Sequence, residues 1–455
     1  MRSLLREILL GTDSLMRLPL PVISAWDPRA TSSGSLDPLG ALRAYTAIAT
    51  TLLPGATTIT TRPRYLSWVC AGLRLLDELP DAPHGGQAGR ARRKRILPWE
   101  RLVALATGWY AKTEKVGIEH PCWRALRGVS YVRTAVADRK TTFDFGMLKN
   151  QAGVGGVGTY WVTLVEGGLV EDASAQLTAR GEALAEAFLS TKGTPPRATL
   201  LAALAGIKSV LTVEELTRWG GVGSLDVSVA GASERRYLLD ALLESETHRR
   251  MSAALGGKAR AHSRDDCFSK LEKRLAKTHD ELAGTLASVV AITRPFEALH
   301  AALLDRFDRL RSADINGRPV AADIAANLVG APGTIGSLEA ALRAALDQNP
   351  KLPKAVATPV RQFLLAVEPV CRAKDASSLL VALLKHHDRV QSGKSDPSRQ
   401  PKKPWIELRS HEILIAPRFA LDELPVPRHP GAFTHPYRVE PFAGMLTELD
   451  GWRSA

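Results

Sequence analysis

The stretch Thr141–Phe188, TTFDFGMLKNQAGVGGVGTYWVTLVEGGLVEDASAQLTARGEALAEAF, constrains this chain more than any other. Its glycines at 153, 155 and 158 fit G-x-G-x-x-G. In dinucleotide-binding folds that spacing brings a helix N-terminus up to a pyrophosphate. The helix is available from Gly158 to Glu166, and Glu171 or Asp172 follows as an acidic candidate for a ribose. The strand that should precede it is missing. Met147, Leu148, Lys149, Asn150 and Gln151 are too polar for a buried parallel strand, and no β–α alternation follows.

A winged helix accounts for more of these residues. A helix over 144–151, a glycine turn and a second helix over 157–166 come first. Gly167 and Gly168 stop that helix. Leu169 to Glu171 and Gln176 to Thr178 then read as the two strands of a tight wing. Thr178 is placed to cap a last helix with Leu184, Ala185 and Phe188 facing inward. The second helix is a poor reader of base edges, a task for Arg, Lys, Asn or Gln. It offers Thr159, Tyr160, Trp161 and Thr163, and Glu166 is its one charge. Lys149, Asn150 and Gln151, before the turn, are candidates for phosphate contact, with Thr159 beside them.

Charge supports an anionic partner. The 455-residue chain has 60 Lys and Arg against 47 Asp and Glu, a formal charge of +13. From Arg90 to Asn150 the count is 14 against 5, so most of the excess lies just before the glycine cluster. Arg90, Arg92, Arg93, Lys94 and Arg95 form a dense run within a predicted loop over 80–98, and Arg139 and Lys140 follow. Clustered cations of this kind hold phosphate backbones by releasing counterions. Arg62 and Arg64, at the start of a helix after Pro63, read either as a solvated helix entrance or as an anion clamp.

Elsewhere helical spacing prevails. Leu36–Leu53 reads as a helix, Thr57–Thr61 as extended, and Trp99–Lys112 and Trp123–Ala137 as helices with Trp99, Trp109, Tyr110 and Trp123 in the core. Leu4, Leu5, Ile8 and Leu9 suit one face of a short N-terminal helix. Thr212 and Glu215 have capping-box spacing, with Gly220 and Gly221 expected to stop the helix. Residues 267–312 read as a helical hairpin broken at Pro295, and two or three further helices fill 321–386. Trp405–Ala416 alternates as a strand or hairpin, and the C-terminus ends in a short helix. The expected divisions are 1–120, 121–192 for the winged-helix-like module, 193–390 for a helical domain, and 391–455 for a basic loop, β element and short helix.

Catalytic signatures are near misses. Ser392–Ser395 resembles the end of a P-loop, but Asp388 stands where its first glycine belongs. His386, His387 and Asp388 contain an HD doublet without further ligands at helical spacing; His279, Asp280 and His300 are not tied to it by any pattern. Cys70, Cys122, Cys267 and Cys371 include no C-x-x-C pair, which speaks for buried thiols in a reducing cytoplasm. Glu7 and Asp13 interrupt the N-terminal apolar run, unlike a signal peptide, and no run of 18 apolar residues predicts a membrane span. No metal or cofactor is expected.

Three blocks carry a resemblance: LLPGATTITTRPRYLSWVCAGL (52–73), GLVED…LTARGEALAEAF (168–188) and HHDRVQSGK…KKPWIEL (386–408). They resemble a group of prokaryotic proteins encoded in anti-phage defence and mobile-element islands, beside helicases, nucleases or other DNA-handling ATPases. The resemblance implies a bacterial multi-protein system and a DNA-related task, and brings no catalytic residues. The expectation is therefore a mainly α, multi-helical fold with an embedded winged helix and a small β element near the C-terminus. Its expected role is a non-catalytic nucleic-acid-binding or scaffold subunit of a defence-type complex. A protein–protein adaptor and a metal-dependent nuclease subunit are the alternatives.

Overall fold

Helices dominate because apolar residues recur every three or four positions along most of the chain. The structure, a computed structural model, describes residues 37–206, 211–256, 264–314, 318–394, 400–429 and 431–450. The expected helix at Leu4–Leu9 and Ser395 of the P-loop-like run lie outside these residues. The Asp37 carboxylate accepts from the N–H groups of Ala41 and Leu42 and so starts α1, Leu42–Leu52. Thr57–Thr61 is a turn, not an extended run, because the Thr57 and Thr60 hydroxyls accept from each other's backbone N–H. Pro63 then opens α2, Arg64–Leu76, in which every residue except Arg74 is buried. The next helices gather around α2.

The expected loop over 80–98 contains a helix. Gly89–Arg95 is α3, since Arg, Ala and Lys are good helix formers, and it leads into α4, Leu97–Thr113. The helix expected over 123–137 forms only as α5, Val129–Ala137. Ala125 (φ 60°) and Gly128 (φ 74°) turn the chain in the left-handed region just before it.

The helix expected over 144–151 is absent. Phe143, Phe145 and Met147 are buried while Asp144 and Gly146 are exposed, the period-two burial of extended chain. Asn150 instead caps a single turn, α6, Gln151–Val154, and α7 spans Gly156–Glu166. Val170 and Leu177 form one antiparallel bridge where the two short strands were expected. The Thr178 hydroxyl accepts from Gly181 N–H to cap α8, Ala179–Leu189, which buries Leu184, Ala185 and Phe188.

Next come α9, Arg197–Leu204, and α10, Val213–Gly223, whose capping box joins Thr212 and Glu215. Gly220 and Gly221 do not stop α10. They let it lie against α4, where a Cβ on Gly220 would be 2.0 Å from the Ala106 carbonyl oxygen. After α11, Ala232–Leu242, and α12, Glu246–Leu255, comes the hairpin of α13, Arg264–Ala276, and α14, Glu281–Arg311. Its turn lies at 277–280, and α14 continues past Pro295 without a break. An internal proline costs about 3 kcal/mol; Val289, Ile292, Phe296 and Leu299 are buried on both sides of it and hold the helix together. This helix is long and apolar enough to cross a membrane by length and composition, and more than half of its apolar stretch is buried inside the fold.

The remaining elements are β1, Val320–Ala321, α15, Ala322–Val329, α16, Ile335–Gln348, α17, Lys354–Cys371, and α18, Ala376–Ser392. Pro359, expected to punctuate, lies inside α17, as does Pro369. β2, Ile406–Arg409, and β3, Glu412–Ile415, form the expected hairpin, with Leu408 opposite Ile413 and β1 on the far edge of β3. α19, Val439–Asp450, packs on α11 and α12. Glu448 from α19 pairs with Arg62, beside the start of α2, and with Arg124. Buried apolar side chains from Leu39 to Leu449 form one continuous cluster.

Candidate nucleic-acid interface

The glycine turn is filled by the chain's own carboxylate. Glu100, buried in α4, accepts from Gly156 N–H at the head of α7 and, at 3.0 Å, from the Gln151 amide. Burial pushes its pKa above the usual carboxylate value, and the hydrogen bonds from Gln151 and Gly156 pull it back. The glycines serve contact. A Cβ on Gly156 would sit 2.3 Å from the Tyr65 ring, and one on Gly158 would sit 2.4 Å from the Ala152 carbonyl oxygen. A phosphate would meet a buried anion here, which leaves no cradle.

The residues that α7 was expected to present also point inward. Tyr160 accepts at its hydroxyl from Thr61 and Arg62 N–H, at 3.0 and 2.9 Å. Trp161 donates to Asp172 and Thr163 to the Gly55 carbonyl, both at 2.7 Å. Thr159 is buried and faces the Val154 carbonyl, and Gln151 is buried on Glu100 and the Leu97 carbonyl. Neither Gln151 nor Thr159 is placed to touch phosphate, a correction to the sequence expectation. The outward side of α7 carries Val162, which is 51% exposed.

The basic run divides because α3 is a helix with an inner and an outer face. Arg92, 1% exposed, pairs with Asp77 and donates to the Ala175 and Pro83 carbonyls, so it is a structural cation. Arg95 pairs with Asp81, and Arg93 lies 4.7 Å over the Trp161 ring. Arg90 and Lys94 remain exposed, without an acidic partner among the described residues.

The side of α4 next to the 136–151 segment lines up the other cations. The Leu97 carbonyl meets Gln151, and Arg101 meets the Phe143 and Phe145 carbonyls. Farther on, Trp109 donates to the Lys140 carbonyl and Lys112 to that of Val136. The segment thus runs back along α4, whose 17 residues span about 25 Å. Lys149 and Asn150 stand exposed near its start, and Arg139 and Lys140 near its end. Lys149, Arg139 and Lys140 also have no acidic partner among the described residues. Asp138 and Asp144 are exposed in the same segment; Asp144 accepts from the Thr142 hydroxyl.

Two further side chains were not singled out from sequence. On α5, Val132, Ala135 and Val136 face α4, which leaves Tyr131, 52% exposed, and Arg133 outward. Helical spacing of those three apolar residues was the signal available.

Other candidates resolve into structure. Arg64 pairs with Glu234 and Arg62 with Glu448, so the anions clamped at the start of α2 are the protein's own. His386 donates from Nε2 to the Leu39 carbonyl at 2.8 Å. His387 spans the Pro38 carbonyl and Trp405 N–H, each at 2.8 Å. Among the described residues, no group of three or more His, Cys, Asp or Glu side chains could hold a metal ion. The four cysteines are free thiols; three are buried and Cys267 is half-buried. No protein-family model, curated protein or solved structure matches this chain.

Proposed function

We propose that this chain is a non-catalytic nucleic-acid-binding or scaffold subunit that grips phosphate backbone along the α4 strip. The observation that carries this reading is the set of exposed cations without acidic partners: Arg90, Lys94, Lys149, Arg139 and Lys140. Elsewhere many arginines are neutralised by a neighbouring carboxylate, as Arg74, Arg180 and Arg197 are. Binding by such a strip is electrostatic and indifferent to sequence, because phosphate contacts position a duplex or strand without reading it. On this reading 121–192 is a winged-helix-like module. Support comes from its order of turn, helix, bridged hairpin and capped helix, and its second helix serves packing. The setting is a bacterial cytoplasmic defence-type complex with a co-encoded ATPase, helicase or nuclease, without a membrane.

Filter binding of a labelled DNA fragment over a salt series tests the reading. Affinity should fall steeply with salt, and the absence of binding at low salt would overturn it.

A second reading is a protein–protein adaptor without nucleic-acid binding. Val162, apolar and exposed on α7, favours it. Replacing Arg90 and Lys94 with Glu discriminates. Loss of a protein partner with DNA binding absent throughout would favour the adaptor.

A further inference from the structure

We infer that the nucleic acid held along α4 is single-stranded, with one base stacked on Tyr131. This inference rests on the phosphate-binding reading and specifies its substrate. Among the described residues Tyr131 is the one Phe, Tyr or Trp side chain that is more than half exposed, at 52%. Its place is what gives it meaning. It lies on the first turn of α5, which buries Val132, Ala135 and Val136 and turns Tyr131, Arg133 and Thr134 outward. Arg139 and Lys140 follow just past its C-terminal end, where Lys140 N–H bonds back to the Ala135 carbonyl at 2.9 Å.

The other end of the strip also comes close to Tyr131. Gly128, just before α5, is so near the chain at 147–148 that a Cβ there would lie 2.6 Å from the Met147 side chain and 3.5 Å from Leu148. Lys149 is the next residue. Tyr131, exposed on α5, thus lies along the chain between the close approach to 147–148 and the turn that carries Arg139 and Lys140.

An aromatic platform flanked by cations is how proteins hold single strands without reading them. The ring stacks on any unpaired base while Lys and Arg follow the phosphates. In a duplex the bases are stacked on one another and offer no free face, so Tyr131 would contribute little. α7 does not present the alternative duplex device, a helix with polar side chains for the major groove. Thr159, Tyr160, Trp161 and Thr163 of α7 are buried.

Fluorescence anisotropy with a fluorescein-labelled 20-nucleotide oligothymidine and a mixed-sequence 20-base-pair duplex tests this on the full chain. The single strand should bind at least about tenfold more tightly. Tyr131→Ala should weaken oligothymidine binding about tenfold and leave duplex binding unchanged, while Tyr131→Phe retains both. Lys149→Glu should weaken both ligands. A duplex preference, or oligothymidine binding indifferent to Tyr131→Ala, would overturn the single-strand inference and leave phosphate binding standing. Failure of both ligands to bind at low salt would instead remove the reading beneath it.

Discussion

The Arg64 guanidinium and the Glu234 carboxylate, 170 residues apart in sequence, meet through two hydrogen bonds of 2.9 and 3.0 Å with both side chains fully buried. Arg64 also donates to the Ser224 and Asp226 carbonyls, the latter at 3.1 Å. The pair joins the first turn of α2 to α11. Removing one partner leaves the other charged and dry, which costs about 3–5 kcal/mol. Glu234→Ala should shift urea unfolding by that amount. The double variant Arg64→Met with Glu234→Leu should recover a large part of the loss, because it buries no unpaired charge.

The glycine turn makes a second prediction. Gly156→Ala places a methyl 2.3 Å from the Tyr65 ring, which is itself buried against Trp68 and Tyr160. Overpacking of this kind costs about 1–3 kcal/mol. Thermal unfolding should show it, whereas Gly146→Ala, with nothing within 4 Å of the new methyl, should be nearly neutral.

His387 should make the small sheet sensitive to acid. Burial holds its pKa down at about 4, opposed by the hydrogen bond to Pro38. Its geometry needs the neutral ring: Nδ1 donates to Pro38 and Nε2 accepts from Trp405 N–H. A histidine depressed on folding contributes stability above its unfolded value, about 6.5, and loses it as pH falls toward the folded value. Urea midpoints should therefore drop between roughly pH 6.5 and 4. His387→Gln should flatten that drop, and an unchanged pH profile in the variant would assign the acid loss to other groups.

Individual cations of the strip can be counted. Lys140→Ala and Lys149→Ala should each reduce the slope of log affinity against log salt by about one, and together by about two. Arg92→Ala should behave differently. It removes a buried cation from Asp77 and two carbonyls, so it should lower unfolding stability.

Local chemistry was legible wherever neighbours in sequence suffice. The capping box at Thr212, the cap at Thr178, the hairpin at 406–415 and the core character of Trp99 and Trp109 all follow from short-range pattern. Stops read from composition were the weak point. Gly220, Gly221 and Pro295 were expected to end helices and lie inside them, because partners distant in sequence decide whether a weak helix position is tolerated. Phe143, Phe145 and Met147 carried a readable period of two, which the helix expected over 144–151 left out of account.

The candidate interface shows the same division. Sequence alone determined that the chain is mainly helical, that most of its excess charge lies between Arg90 and Asn150, and that α7 has almost no charge. Only the tertiary structure decided which of those cations face solvent. Arg92 and Arg90 are two residues apart on one short helix, yet one is sealed by Asp77 and the Ala175 carbonyl while the other is exposed. The same holds at the glycine cluster, where Glu100, fifty-six residues upstream of Gly156, takes the place a phosphate would need. Pattern records which groups a segment offers. Burial and pairing depend on what packs against it, and those partners come from elsewhere in the chain.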